Sequence, residues 1–226
     1  ATKALQFMTG LDRGDTVWLL DGYKLKSIGT FTVPMKASYD SPKARLAVNS
    51  KAVSVLMRFA MSASLSDNQP HTVLLPQLLR HIATNKTSKE IEVVVIGSPH
   101  YNDPSEPAFS MINGVFPSDG HLSNNRSKTP FATAGYSTLL NDVRVHLTYA
   151  GKDVFIHDRH NFSVERFWTL YIEALGGKLV SFVGDIDTAL KRSKTHAPAM
   201  EHGFIPNSDN KLEMIRLRKA KPAVQS

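Results

Sequence analysis

Six residues, Ile91-Glu-Val-Val-Val-Ile96, set the tightest limit on what this chain can fold into. Five of the six are β-branched, which favours extended backbone. Apolar residues follow one another with almost no alternation, the pattern of a strand covered on both faces. The run stops at Gly97-Ser98-Pro99, where the chain must turn. A second run of this kind, Lys178–Val183, ends at Gly184-Asp185. Strands buried on both sides belong to parallel sheets, and parallel strands need crossover connections, usually helices.

The helices can be read beside them. Val164, Phe167, Trp168, Tyr171, Ile172 and Leu175 form an apolar stripe at helical spacing, with Ser163 or Asn161 as the expected cap and Gly176-Gly177 as the stop. Ser41-Pro42 starts a helix expected to run to about residue 63, with Leu46, Val53, Leu56, Met57 and Ala60 on one face. A polar break at 64–70 separates it from a helix over 73–84, with Pro76 in its first turn. Residues 188–192 predict a short last helix.

Further strands are expected at Thr16–Asp21, read as buried, and at 27–33, the two suited to a hairpin. Alternation predicts another at 143–149, with 153–157 as a short partner and 212–217 as an edge strand or docked tail. The alternation of strands and helices predicts an α/β fold, a Rossmann-like three-layer sandwich with a mostly parallel central sheet. The expected organisation is one domain over 1–193, a long loop at 98–136 and a basic C-terminal extension at 194–226.

Composition narrows the function classes. The length of 226 residues suits one large domain, and 42% hydrophobic with 21% charged residues is ordinary for a globular chain. No apolar run approaches the roughly 20 residues that span a bilayer. The absence of cysteine excludes disulfides, thiol catalysis and cysteine-ligated zinc. The chain begins at Ala1, which signal-peptide removal or methionine removal would each explain, so cytoplasm and periplasm stay open. A net charge of +7 favours polyanions, and the densest cluster is Arg216, Arg218, Lys219 and Lys221. Nucleic acid is therefore a possible partner through this tail, against the plainer reading of a solvated basic end.

In open parallel sheets the binding crevice lies beyond the carboxyl ends of the strands. That rule selects the turns after Asp21, Ile96 and Val183. Ser98-Pro-His-Tyr-Asn-Asp103 supplies a hydroxyl, an imidazole and a carboxylate, with Ser98 and His100 as a nucleophile–base pair. Ser, Pro, Asn and Asp are equally the residues of an ordinary turn. Pro117-Ser-Asp-Gly-His121 sets Asp119 two residues from His121, a spacing suited to metal ligation, to acid–base work or to a plain turn. Asp21, Asp103, Asp119 and His121 together are hard donors, so a divalent cation is the one cofactor to consider and the basis of a metal-assisted hydrolase reading. The His157-Asp-Arg-His160 group reads as a capping, solvent-exposed stretch, and Gly184-Asp-Ile-Asp187 as carboxylates at a helix start. Phosphate-binding loops, a Gly-x-Ser-x-Gly elbow and nucleic-acid modules are all missing.

An Asp-ended first strand, Val94-Val-Ile-Gly-Ser-Pro99, a helix with Gly-Gly, and Lys178-Leu-Val-Ser-Phe-Val-Gly-Asp185 follow one another over roughly 16–192. In that order the chain resembles a von Willebrand factor type A domain. The resemblance implies a protein-binding module. The family's metal site uses Asp-x-Ser-x-Ser after the first strand. Only Asp21 matches, because Tyr23 and Leu25 stand at the serine positions. The expectation is a non-catalytic binding module without the standard metal site, its partner another protein and its contact residues Asp21, Ser98, His100, Asp103, Asp119 and His121. A metal-dependent hydrolase and a polyanion-binding protein are the alternatives.

Overall fold

The computed structural model describes residues 1–65, 72–86, 88–150, 154–203 and 211–218. Part of the 64–70 break, Asp153 of the proposed 153–157 strand, and Lys219 and Lys221 of the tail lie outside the described residues. The chain forms two compact units, Ala1–His71 and Thr72–Ser226, a different partition from the boundary drawn at 193.

The first unit holds α1 (Thr2–Thr9), β1 (Thr16–Asp21), β2 (Lys26–Thr32), α2 (Pro42–Val48) and α3 (Ser50–Leu65). The expected hairpin forms, and β1 and β2 pair antiparallel as a sheet of their own. The strand ending at Asp21 is therefore not a member of the parallel sheet. Nor is it fully buried. Val17 and Leu19 pack on a core of Met8, Phe31 and Val33, while Trp18 on the other face is 42% exposed.

The single helix expected from residue 42 is two. Ser41 does cap its start, accepting from the Ala44 N–H at 3.2 Å. The break falls at Asn49, whose side chain accepts from Thr32 N–H at 3.0 Å and donates to Thr32 O and Arg45 O at 2.9 Å. Asn49 thus extends the ladder of β2 while ending α2, a choice no helix propensity encodes. Arg45 is buried and spends its donors on the carbonyls of Thr9, Leu11 and Tyr39.

The second unit contains α4 (Leu75–Asn85), β3 (Ile91–Ile96), β4 (Val115–Pro117), β5 (Val143–Thr148), α5 (Asp158–Ala174), β6 (Lys178–Val183), α6 (Ile186–Lys194) and β7 (Met214–Arg216). It is a mixed α/β structure around a three-stranded parallel sheet in the order β3-β5-β6. Helices flank this sheet, α6 packing on all three strands and α5 on β6. The α5 stripe is buried as its spacing predicts, with Trp168, Tyr171 and Ile172 at 0% exposure.

Both ends of α5 show local rules at work, one of them unexpected. The N-cap is His157, whose Nδ1 accepts from the His160 N–H at 3.2 Å, rather than Asn161 or Ser163. The helix stops at Gly176, held at φ +88, a region that favours glycine. Asp185 caps α6 by accepting from the N–H groups of Asp187 and Thr188. The 212–217 segment does supply an edge strand, but its partner is β4 in a separate two-stranded ribbon.

Candidate functional site

Residues 98–136 are an ordered structure rather than a bare loop. The segment is pinned by fully buried Tyr101, Met111 and Phe131. Tyr101 bonds Glu106 and accepts from Gln77 of α4, while Phe131 sits edge-on to Tyr101, His121, Phe167 and Trp168. Such rings contribute beyond their buried area and fix the chain's path.

Most of the expected site residues hold this architecture together. Asp21 Oδ1 accepts from the N–H groups of Tyr23 and Lys24 at 2.9 Å, closing its own turn in the first unit. Asp103 does the same for Ser105, at 2.9 Å to its N–H and 2.7 Å to its hydroxyl. Asp119 takes both arms of the Arg166 guanidinium at 2.8 and 2.7 Å, which ties its turn to α5. His121 is 1% exposed, with Nδ1 2.7 Å from Thr129 Oγ1 and Nε2 3.2 Å from Glu213 O. Burial holds its pKa below the usual histidine value, partly offset by the Glu213 carbonyl.

Ser98 and His100 do not form a nucleophile–base pair. The Ser98 hydroxyl accepts from the His100 backbone N–H at 3.2 Å, which makes it a turn former. The imidazole of His100 lies instead against His160, the rings nearly parallel with centroids 5.1 Å apart. Phe155 stands edge-on to both. Both histidines are buried, so His160 is not the solvent-exposed residue expected at this helix start. His100 Nε2 is buried with no hydrogen-bond partner among the described residues. Burial first, and the neighbouring His160 second, push the His100 pKa from 6.5 down to about 4. His160 is lowered too, by burial, against the pull of the Val115 carbonyl. Both rings are therefore neutral at neutral pH.

A second polar cluster was not foreseen. Glu92 of β3 accepts from Arg144 Nε at 2.7 Å and sits 2.7 Å from His146 Nε2, and His146 Nδ1 is 2.8 Å from Ser181 Oγ. This is the connectivity of a Ser–His–Glu relay. Ser181 and His146 are both 0% exposed, so no substrate carbonyl reaches the hydroxyl. The network is a cross-strand tie through β3, β5 and β6. Polar residues inside apolar strands were its only sequence signal, and pairing them required the register.

Among the described residues, no three His, Asp or Glu side chains are arranged to hold a metal ion. Among the described residues, no helix is long and apolar enough to cross a membrane.

The feature best placed to meet a ligand is the β4–β7 ribbon. One of its faces and the turn at 107–113 line a groove of about 290 Å³ of mixed character, with Ile112, Val115 and Met214 beside Ser110, Asn113 and Arg216. Leu217 N–H bonds Gly114 O and Ser118 N–H bonds Glu213 O at 2.8 Å, so residues 213, 215 and 217 face β4. Met214 and Arg216 consequently turn their backbone groups to the other edge of β7, with which no strand pairs among the described residues. The far edge of β4 is closed to pairing, because Pro117 has no N–H and Val115 N–H is taken by Ile112 O. Ile112, on the β4 side of the ribbon, is 42% exposed, and Ile215 of β7 is 36% exposed. Comparison with protein-family models, curated proteins and solved structures finds no match.

Proposed function

We propose that the chain is a non-catalytic protein-binding module that takes an extended peptide segment of another protein along β7. The β7 edge, along which Met214 and Arg216 turn their backbone groups outward, carries this reading. A third strand there would complete the backbone pairing that Met214 and Arg216 leave outward, and would lay alternate side chains beside those of Met214 and Arg216. The Arg216 guanidinium at the rim favours an acidic residue in the peptide. Because 98–136 is already held by buried anchors, little ordering entropy opposes binding.

The finer reading of the fold belongs to the same proposal. The parallel unit is taken as a Rossmann-like three-layer sandwich, similar in its 94–99 and 178–185 segments to a type A domain lacking the standard metal site.

The test is selection of peptides from a random display library on the full chain, followed by calorimetric titration of synthetic binders. Met214→Asp is expected to weaken binding at least tenfold, and N-methylation at alternate backbone positions of the peptide to abolish it. Binders indifferent to both changes would remove the proposal.

A further inference from the structure

The first unit carries a cationic groove that the reading above does not use. The hairpin and α3 enclose a cavity of about 460 Å³. Its apolar floor is Ile28, Val55 and Phe59, and its charged rim is Lys24, Lys26 and Arg58, with Asp21 also at the wall. Among the described residues the three cations make no ion pair, whereas Arg13 and Arg45 elsewhere in the unit share Asp40. Asp21 is occupied by its own turn. Residues 1–65 hold nine Lys and Arg against four Asp and no Glu, and of the groove's lining residues Asp21 alone is acidic, so the rim keeps a net positive charge.

We infer that this groove binds single-stranded nucleic acid, phosphates on Lys24, Lys26 and Arg58 and a base on the face of Phe59. Unpaired cations above an apolar floor call for an anion that also brings a flat apolar face. A nucleotide strand supplies both, through its phosphodiesters and its bases. Phe59 is 38% exposed and so open to a ring. A polycarboxylate would satisfy the rim but leave Phe59 unpartnered. The site is independent of the β7 edge, which lies in the other unit.

The experiment is fluorescence anisotropy of the full chain with a labelled thymidine dodecamer at several salt concentrations. Three phosphate contacts predict that log K falls against log salt with a slope of about −2. Arg58→Gln is expected to lower affinity and to make the slope shallower by about 0.7. Phe59→Ala is expected to cost about fivefold or more without changing the slope, because stacking releases no counterions. Circular dichroism controls for folding. Arg218→Gln and Lys221→Gln in the basic tail leave the affinity unchanged if the groove is the site. The inference fails if no binding is seen, if the tail variants abolish it while the groove variants do not, or if polyglutamate displaces the oligonucleotide equally well.

Discussion

The stacked pair of His100 and His160 makes the stability of the second unit depend on pH in a way that can be separated from ordinary carboxylate titration. His100 is 7% exposed, and its pKa falls from 6.5 to about 4 on folding. A group lowered in this way is neutral in both states above pH 6.5. As pH falls below 6.5 the unfolded chain takes up a proton that the folded chain refuses, and stability declines until the folded ring protonates near pH 4. At ~1.36 kcal/mol per pH unit the full loss is about 3 kcal/mol. His160 contributes with the same sign. Protonating both rings would place two like charges 5.1 Å apart in an apolar setting, so the second proton is resisted more than the first.

His100→Phe removes the titration and keeps an aromatic ring against Phe155. The reporter is Trp168, which is 0% exposed and donates from Nε1 to Pro99 O at 2.8 Å, next to the histidine. The chain has two tryptophans, so a Trp18→Phe background isolates the signal to this unit. Urea unfolding followed by Trp168 fluorescence at pH 7 and pH 4.5 should show the parent losing about 2 to 3 kcal/mol more than the variant. Carboxylate contributions cancel in that difference. Equal losses in the two proteins would refute the claim that burial and the neighbouring ring hold His100 neutral.

Two other perturbations test the scaffold. Asp119→Asn breaks the two-armed ion pair with Arg166, whose partners are 10% and 17% exposed, and should cost about 2 kcal/mol in the same urea assay; an unchanged midpoint would show that the pair does not hold the 119–121 turn. Gly176→Ala puts a Cβ 2.4 Å from Asn141 Oδ1 and 2.6 Å from Ser137 O at φ +88, and should lower stability by about 1 to 3 kcal/mol. A neutral effect there would mean that the end of α5 relaxes freely.

Local physics was legible in the chain. A β-branched run marked Ile91–Ile96 and a largely apolar run ending at Gly184 marked Lys178–Val183, because apolar continuity and steric stiffness act within a few positions. Ser41 and the glycines after α5 marked helix ends for the same reason: each acts on backbone groups next to it. Of the candidate site, His100 was visible as an imidazole beyond the best strand, but its partner was not. His160 lies sixty residues away and meets it only because α5 returns to the end of β3.

Tertiary structure decided what long-range contacts decide. The strand Thr16–Asp21 entered its own hairpin sheet, and a short C-terminal strand found β4 nearly a hundred residues before it. Asn49 broke a helix to clamp β2, and Asp119 turned to Arg166 instead of to an ion. In each case several partners satisfied the same side chain equally well in sequence terms. The fold chose among them by which polar groups it left buried and unpaired. The buried strands that set the first limit on this chain thus defined a parallel core, while the surfaces proposed to bind were settled by pairings that no local pattern records.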